Sequence, residues 1–148
     1  MLKPKTAWNV ITALSAVGII LASYLFYSYL VPEPPQFCTI NETINCDAVT
    51  KGSLATFVGI PVSLVGLIGY IVIFASSVFQ KKKLTLGMTA FGMIFCLRLT
   101  ILEIFVEKVY CPVCLLCQII MLTVFLLSIY LLKAKEAQPV SKEEAVSN

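Results

Sequence analysis

The chain has 148 residues, of which 59% are hydrophobic and 13% charged, and its net charge is +3. A mean hydropathy of +0.93 exceeds what a soluble domain with roughly 25% charged residues carries, so an integral membrane protein is expected. The sequence has no histidine, which excludes Ser-His and Cys-His catalysis and the commonest zinc and haem ligand. The lysines cluster beside apolar runs as a topology signal, and nucleic acid is not an expected partner.

Residues 1–7 form a short basic tail with Lys3 and Lys5. Trp8 to Val31 is an uncharged run of 24 residues, and a bilayer core needs about 20. It is too long for a signal-peptide h-region of about 7–15 residues. A first span over about 8–31 follows, with Trp8 at one interface and Tyr24, Tyr27 and Tyr29 at the other. Pro32-Glu33-Pro34-Pro35 stops it, because proline lacks an amide donor and restricts the residue before it.

The outer loop covers about 32–60 and carries Cys38 and Cys46. A short interfacial helix is predicted from about Asp47 to Phe57, with a bend at Gly59-Ile60-Pro61. The second span covers about 61–79, with Pro61 in the first helical turn and Gly66 and Gly69 small enough for close helix contact. Lys81-Lys82-Lys83 is a tight basic turn. The third span, about 84–106, contains Arg98 and Glu103. Glu107-Lys108 is a short turn, and the fourth span covers about 109–132. Residues 133–148 are predicted to be a disordered polar tail.

Counting basic residues orients the bundle. Lys3, Lys5, Lys81, Lys82, Lys83, Lys133, Lys135 and Lys142 fall on one side, and Lys51 and Lys108 on the other. The positive-inside rule puts the first group, and both termini, in the cytoplasm. The fold expected is all-α, a four-transmembrane-helix bundle in the cell membrane with its domain over 8–132.

That orientation uses only lysines, yet it places Cys38, Cys46 and Cys111-Pro112-Val113-Cys114 all on the oxidising, extracytoplasmic side, where disulfides persist. Cys111 starts the fourth helix and is expected to be exposed, with Cys114 buried one turn deeper. Such a pair suits disulfide exchange followed by electron transfer into the membrane. A structural disulfide is the alternative. Cys38 and Cys46 are either a static staple or a mobile shuttle that exchanges with the helix pair.

Cys96 and Cys117 read as packing residues. Cys111, Cys114 and Cys117 also form a CxxCxxC series, but they share one apolar helix with no other ligand in sight, so no metal site is expected. Arg98 and Glu103 are ionisable groups within a span and mark function or pairing. Glu103 faces either the site or the interface, and Arg98 either snorkels or lines a cavity.

The chain resembles the vitamin K epoxide reductase family, in particular its prokaryotic quinone-linked members without a fused thioredoxin-like domain. The resemblance covers about 8–132. It rests on the four spans, on Cys38 and Cys46, on Cys46-Asp47-Ala48-Val49 leading to Gly59-Ile60-Pro61-Val62-Ser63-Leu64-Val65-Gly66, and on Leu102-Glu103 leading to Cys111-Pro112-Val113-Cys114.

The family implies catalytic Cys38, Cys46, Cys111 and Cys114. A bound quinone of the ubiquinone or menaquinone type accepts electrons from Cys114, and a separate extracytoplasmic thioredoxin-like protein reduces the loop pair. The net effect is disulfide formation outside the cytoplasm.

The family has a serine six positions after the second loop cysteine. Here Gly52 stands there and Ser53 follows. Where the vertebrate enzyme has an asparagine and a tyrosine at its vitamin K head group, this chain has Val62 and Gln118, which favours quinone over epoxide reduction. Gln118, Ser53 and Glu103 are the cofactor-contact candidates. A non-catalytic scaffold with loop disulfides and a small transporter or metal-handling protein using the cysteines, Arg98 and Glu103 are the competing readings.

Overall fold

The first helix, α1 (Pro4–Leu30), starts on a proline, whose missing N–H costs nothing at a helix start. It ends where Val31 turns extended and gives its N–H to the Tyr27 carbonyl. At 1.5 Å per residue its 27 residues span about 40 Å. The structure is a computed structural model that describes residues 3–33, 40–53 and 55–136.

The remaining elements are α2 (Cys46–Lys51), a hairpin of β1 (Thr56–Phe57) and β2 (Ile60–Pro61), then α3 (Val62–Val78), α4 (Lys82–Leu102), a π-helical turn (Glu103–Glu107) and α5 (Pro112–Glu136). Three apolar helices, Pro4–Leu30, Lys82–Val106 and Pro112–Ala134, are long enough to cross a membrane, and Val62–Val78 is a shorter apolar helix. The protein is a multi-pass helical membrane protein.

The interfacial segment departs from expectation. The helix closes at Lys51 and does not reach Phe57. Instead Thr56 pairs with Pro61 and Phe57 with Ile60. Val58 and Gly59 form the tip with φ of 55° and 83°, the positive values that a two-residue type I′ hairpin requires at both positions. Thr56, Phe57 and Ile60 are of the types that favour the extended geometry of the two strands. The Val62 N–H then closes the hairpin base on the Ala55 carbonyl at 2.9 Å, and Pro61 becomes the N-cap of α3. Lys51 Nζ donates to the Pro32 carbonyl at 2.6 Å, tying the end of α2 back to the end of α1.

Helix α1 packs on α3 and α5, and α4 packs on α3 and α5. The core gathers Ile11, Ala22, Tyr70, Ile73, Met121 and Val124. Trp8, near the start of α1, packs against this core and is buried. Lipid is as apolar as leucine, so helices in a membrane associate by packing and hydrogen bonds.

The close approaches occur at glycines other than the two expected. The Tyr70 ring lies against Gly18 so tightly that a Cβ there would collide with it, and a Cβ on Gly92 would meet Met121 at 2.7 Å. Gly66 and Gly69 face open space. Hydroxyl pairs add polar contacts, with Thr12 on Ser77 and Ser76 on Thr85, each at 2.9 Å. Helix α5 continues to Glu136, past the apolar run that stops at Leu132.

Candidate functional site

A short stretch of loop assembles the thiol site. The amides of Ile40 and Asn41 both reach the Ile44 carbonyl, and the Tyr110 N–H donates to the Thr43 carbonyl at 2.8 Å. Ile44 and Tyr110 form an isolated parallel bridge. This docks the loop alongside the residues just before α5. Cys46 opens α2 and Cys111 immediately precedes α5, so the same docking brings their sulfurs to 3.2 Å.

Cys46 is disulfide-bonded, whereas Cys96, Cys111, Cys114 and Cys117 are free thiols. Cys38 lies outside the described residues. A covalent S–S bond is about 2.05 Å, so a small approach separates contact from exchange. Within the CxxC, the Cys114 N–H donates to the Cys111 sulfur at 3.3 Å. The cysteine thus stands where a serine or threonine N-cap would accept from an amide of the first turn.

The burial of the pair reverses the expected order. Cys111 is fully buried, at 0% exposure, and Cys114 is only part-buried. Leu25, Val49 and Val109 pack around Cys46 and Cys111. Helix α2 and the docked loop lie over Cys111, just before α5, so it is covered while Cys114, within the first turn, opens inward. Water is excluded from the sulfur contact.

Cys114 opens onto a cavity that encloses about 720 Å³ of empty space, open mouth included. Every main helix contributes a wall: Ala22 and Leu25 from α1, Val62, Ser63, Gly66 and Tyr70 from α3, Phe95, Leu99 and Thr100 from α4, and Cys114, Cys117 and Gln118 from α5. Val49, Thr50 and Ala55 close the end nearest α2. The walls are mainly apolar with a few polar groups, the pattern of a small-molecule site. The Thr100 hydroxyl lies 3.0 Å from the Cys96 carbonyl and 3.3 Å from Gln118 Oε1 and shares its proton between them, which ties the amide to α4. The Tyr70 hydroxyl donates to the Cys117 carbonyl at 2.9 Å, bracing the cavity floor.

Of the expected contact residues, Glu103 and Gln118 line this cavity. Glu103 is 3% exposed, so it faces the site and not the interface, and it borders the cavity together with Cys114. Ser53 is exposed, after the end of α2, and is not among the described lining residues; the loop carries it outward. Cys96 and Cys117 do pack, Cys96 against the core and Cys117 buried, yet both also reach the cavity wall.

Arg98 neither pairs with Glu103 nor enters the cavity: its guanidinium sits 4.7 Å from the centre of the Phe57 ring. Phe57 in turn meets Phe95 edge-on at 6.0 Å. Ser63, Thr100 and Tyr70 are cavity residues that sequence reading did not single out. Their only signal is helical spacing from Gly59-Ile60-Pro61 and from Glu103.

The model of the vitamin K epoxide reductase family matches residues 9–129 of this chain.

Proposed function

Because the chain belongs to the vitamin K epoxide reductase family, whose function is membrane redox chemistry, we propose that it is a quinone-linked thiol oxidoreductase. It passes electrons from a separate thioredoxin-like protein, through Cys38 and Cys46 and then Cys111 and Cys114, to a quinone of the ubiquinone or menaquinone type. The observation that carries this reading is the sulfur series. A disulfide-bonded Cys46 lies 3.2 Å from the free Cys111 thiol, and the other thiol of the CxxC borders an apolar cavity.

The chemistry follows from that order. A reduced partner opens the loop disulfide. The freed Cys46 sulfur attacks Cys111 when the helix pair is oxidised, and Cys114 leaves as the thiol. Resolution of the mixed disulfide re-forms the loop disulfide and leaves Cys111 and Cys114 reduced. With the loop pair bonded and both helix thiols reduced, the CxxC is ready to reduce the acceptor. The apolar walls suit a quinone ring and tail, and Gln118 and Glu103 supply polar contacts for its oxygens. The quinone, when bound, supplies the two-electron acceptor.

Four spans suit this reading: at about 1.5 Å per residue, the 17 residues of α3 reach about 25 Å, the lower limit of a crossing helix. The lysine distribution then places the loop and the CxxC outside the cytoplasm. Purified protein supplied with a reduced thioredoxin-like partner is expected to reduce a short-chain quinone, and Cys114→Ala to abolish the reaction. A full rate from Cys114→Ala would remove the proposed route.

A further inference from the structure

We infer that Glu103 is the catalytic group that carries the proton leaving the Cys114 thiol to the bound quinone. This rests on the thiol–quinone reading above and extends it. Reduction of a quinone by a dithiol moves two protons as well as two electrons. Two S–H bonds break, one S–S bond forms between Cys111 and Cys114, and two O–H bonds form on the quinone. The cavity walls are mainly apolar, so those protons need a carrier.

Glu103 meets the geometric requirements. Its buried carboxyl, on a residue 3% exposed, borders the same cavity as Cys114. The other polar groups of that wall are poorer carriers. Gln118 is an amide, which donates and accepts hydrogen bonds without exchanging its protons in this way. The Thr100 hydroxyl is held by Gln118, and the Tyr70 hydroxyl is committed to the Cys117 carbonyl.

Among the described residues lining the cavity there is no Lys or Arg to fix Glu103 in a permanent ion pair. A carboxyl retained within a span without such a partner marks function by default. Glu103 also opens the π-helical turn, a rare geometry found frequently at functional sites.

Backbone and side chain have separate tasks here. The Glu103 carbonyl accepts the amides of Lys108 and Val109, closing the turn that leads to Cys111. That closure survives substitution of the side chain. In the proposed step the Glu103 carboxylate takes the proton from Cys114 Sγ as the sulfur gives up its electrons, and passes it to a quinone oxygen. Glu103 begins and ends the cycle ionised. The second proton leaves Cys111 as its sulfur closes on Cys114 and follows through Glu103 to the other quinone oxygen.

The test compares wild type, Glu103→Gln and Glu103→Asp in detergent, with a short-chain ubiquinone or menadione as acceptor and a reduced thioredoxin-like donor. Glu103→Gln is expected to lose roughly 100-fold in quinone reduction, the usual scale for a proton-transfer group, and Glu103→Asp to recover part of it. The second readout is alkylation of Cys114 by N-ethylmaleimide in quinone-free protein. Glu103→Gln should keep this rate or raise it, since it removes a negative charge beside the thiol.

Quinone reduction by Glu103→Gln within about threefold of wild type overturns the inference, because a carrier is worth far more. Loss of Cys114 alkylation together with quinone reduction also overturns it, by showing that Glu103 only holds the site in shape. Failure of the wild type itself to reduce either quinone overturns the underlying thiol–quinone reading, and the role of Glu103 with it.

Discussion

The sulfurs of Cys46 and Cys111 lie 3.2 Å apart although the residues are 65 positions apart in the chain. Their contact depends on a few backbone hydrogen bonds between residues 40–44 and Tyr110. Disulfide exchange requires access of one sulfur to the other, and here the fold supplies that access while excluding water from the contact.

Replacing Cys38 and Cys114 together by alanine should trap this contact. Without them a disulfide between Cys46 and Cys111 has no paired thiol on either side to resolve it. Non-reducing peptide mapping of the oxidised double variant is expected to show a Cys46–Cys111 cross-link, absent when Cys111 is also changed to serine. A cross-link from Cys46 to Cys96 or Cys117 instead would contradict the exchange route.

Gln118 should act in binding more than in chemistry. Its amide contacts Thr100 at 3.3 Å and lines the cavity. Gln118→Leu keeps the volume and removes a hydrogen bond worth about 1 kcal/mol. The KM for a short-chain quinone is expected to rise about five- to tenfold, with kcat nearly unchanged. An unchanged KM would show that the head group binds elsewhere in the cavity.

The approach of α1 to α3 should be intolerant of one methyl group. Gly18→Ala drives a Cβ into the Tyr70 ring, and overpacking of this kind costs about 1–3 kcal/mol. Tyr70→Phe keeps the ring but loses the bond to the Cys117 carbonyl, at a cost of about 1 kcal/mol. Thermal unfolding in micelles should rank wild type above Tyr70→Phe and Tyr70→Phe above Gly18→Ala. A Gly18→Ala protein as stable as wild type would mean the helices separate freely at this point.

Arg98 should stabilise the hairpin and not the thiol site. The stacking of its guanidinium over Phe57 is worth about 0.5–1 kcal/mol at an exposed site. Arg98→Ala is therefore expected to speed exchange of the Val62 amide, which closes the hairpin base, by about two- to fivefold. The Cys46–Cys111 cross-link should still form. Loss of the cross-link in Arg98→Ala would assign the arginine to the redox site.

Much of the architecture is legible in the sequence because the bilayer imposes a length. An apolar run such as Trp8 to Val31 must cross a hydrocarbon layer of about 30 Å with its backbone bonds satisfied internally. Proline and charged residues mark the ends of such runs for local reasons, at Pro4, Pro61 and Pro112. The CxxC is likewise local. Cys111 and Cys114 meet because one helical turn separates them, whatever the rest of the chain does.

Which face of each helix turns inward is not legible, because lipid-facing and core-facing positions are both apolar. Ile20 is 68% exposed and nearby Ala22 is 4% exposed, and nothing in their composition separates them. Arg98 and Glu103 are both charged groups within one apolar run, yet the first points out to Phe57 and the second into the cavity. The hairpin at 56–61 competes with a helix that local preference also allows, and the positive φ at Val58 and Gly59 decides it. The cavity takes side chains from every main helix, and the burial of Cys111 comes from a loop that starts far away in the chain. Such relations arise from packing between distant segments, so they exist only once the helices have assembled.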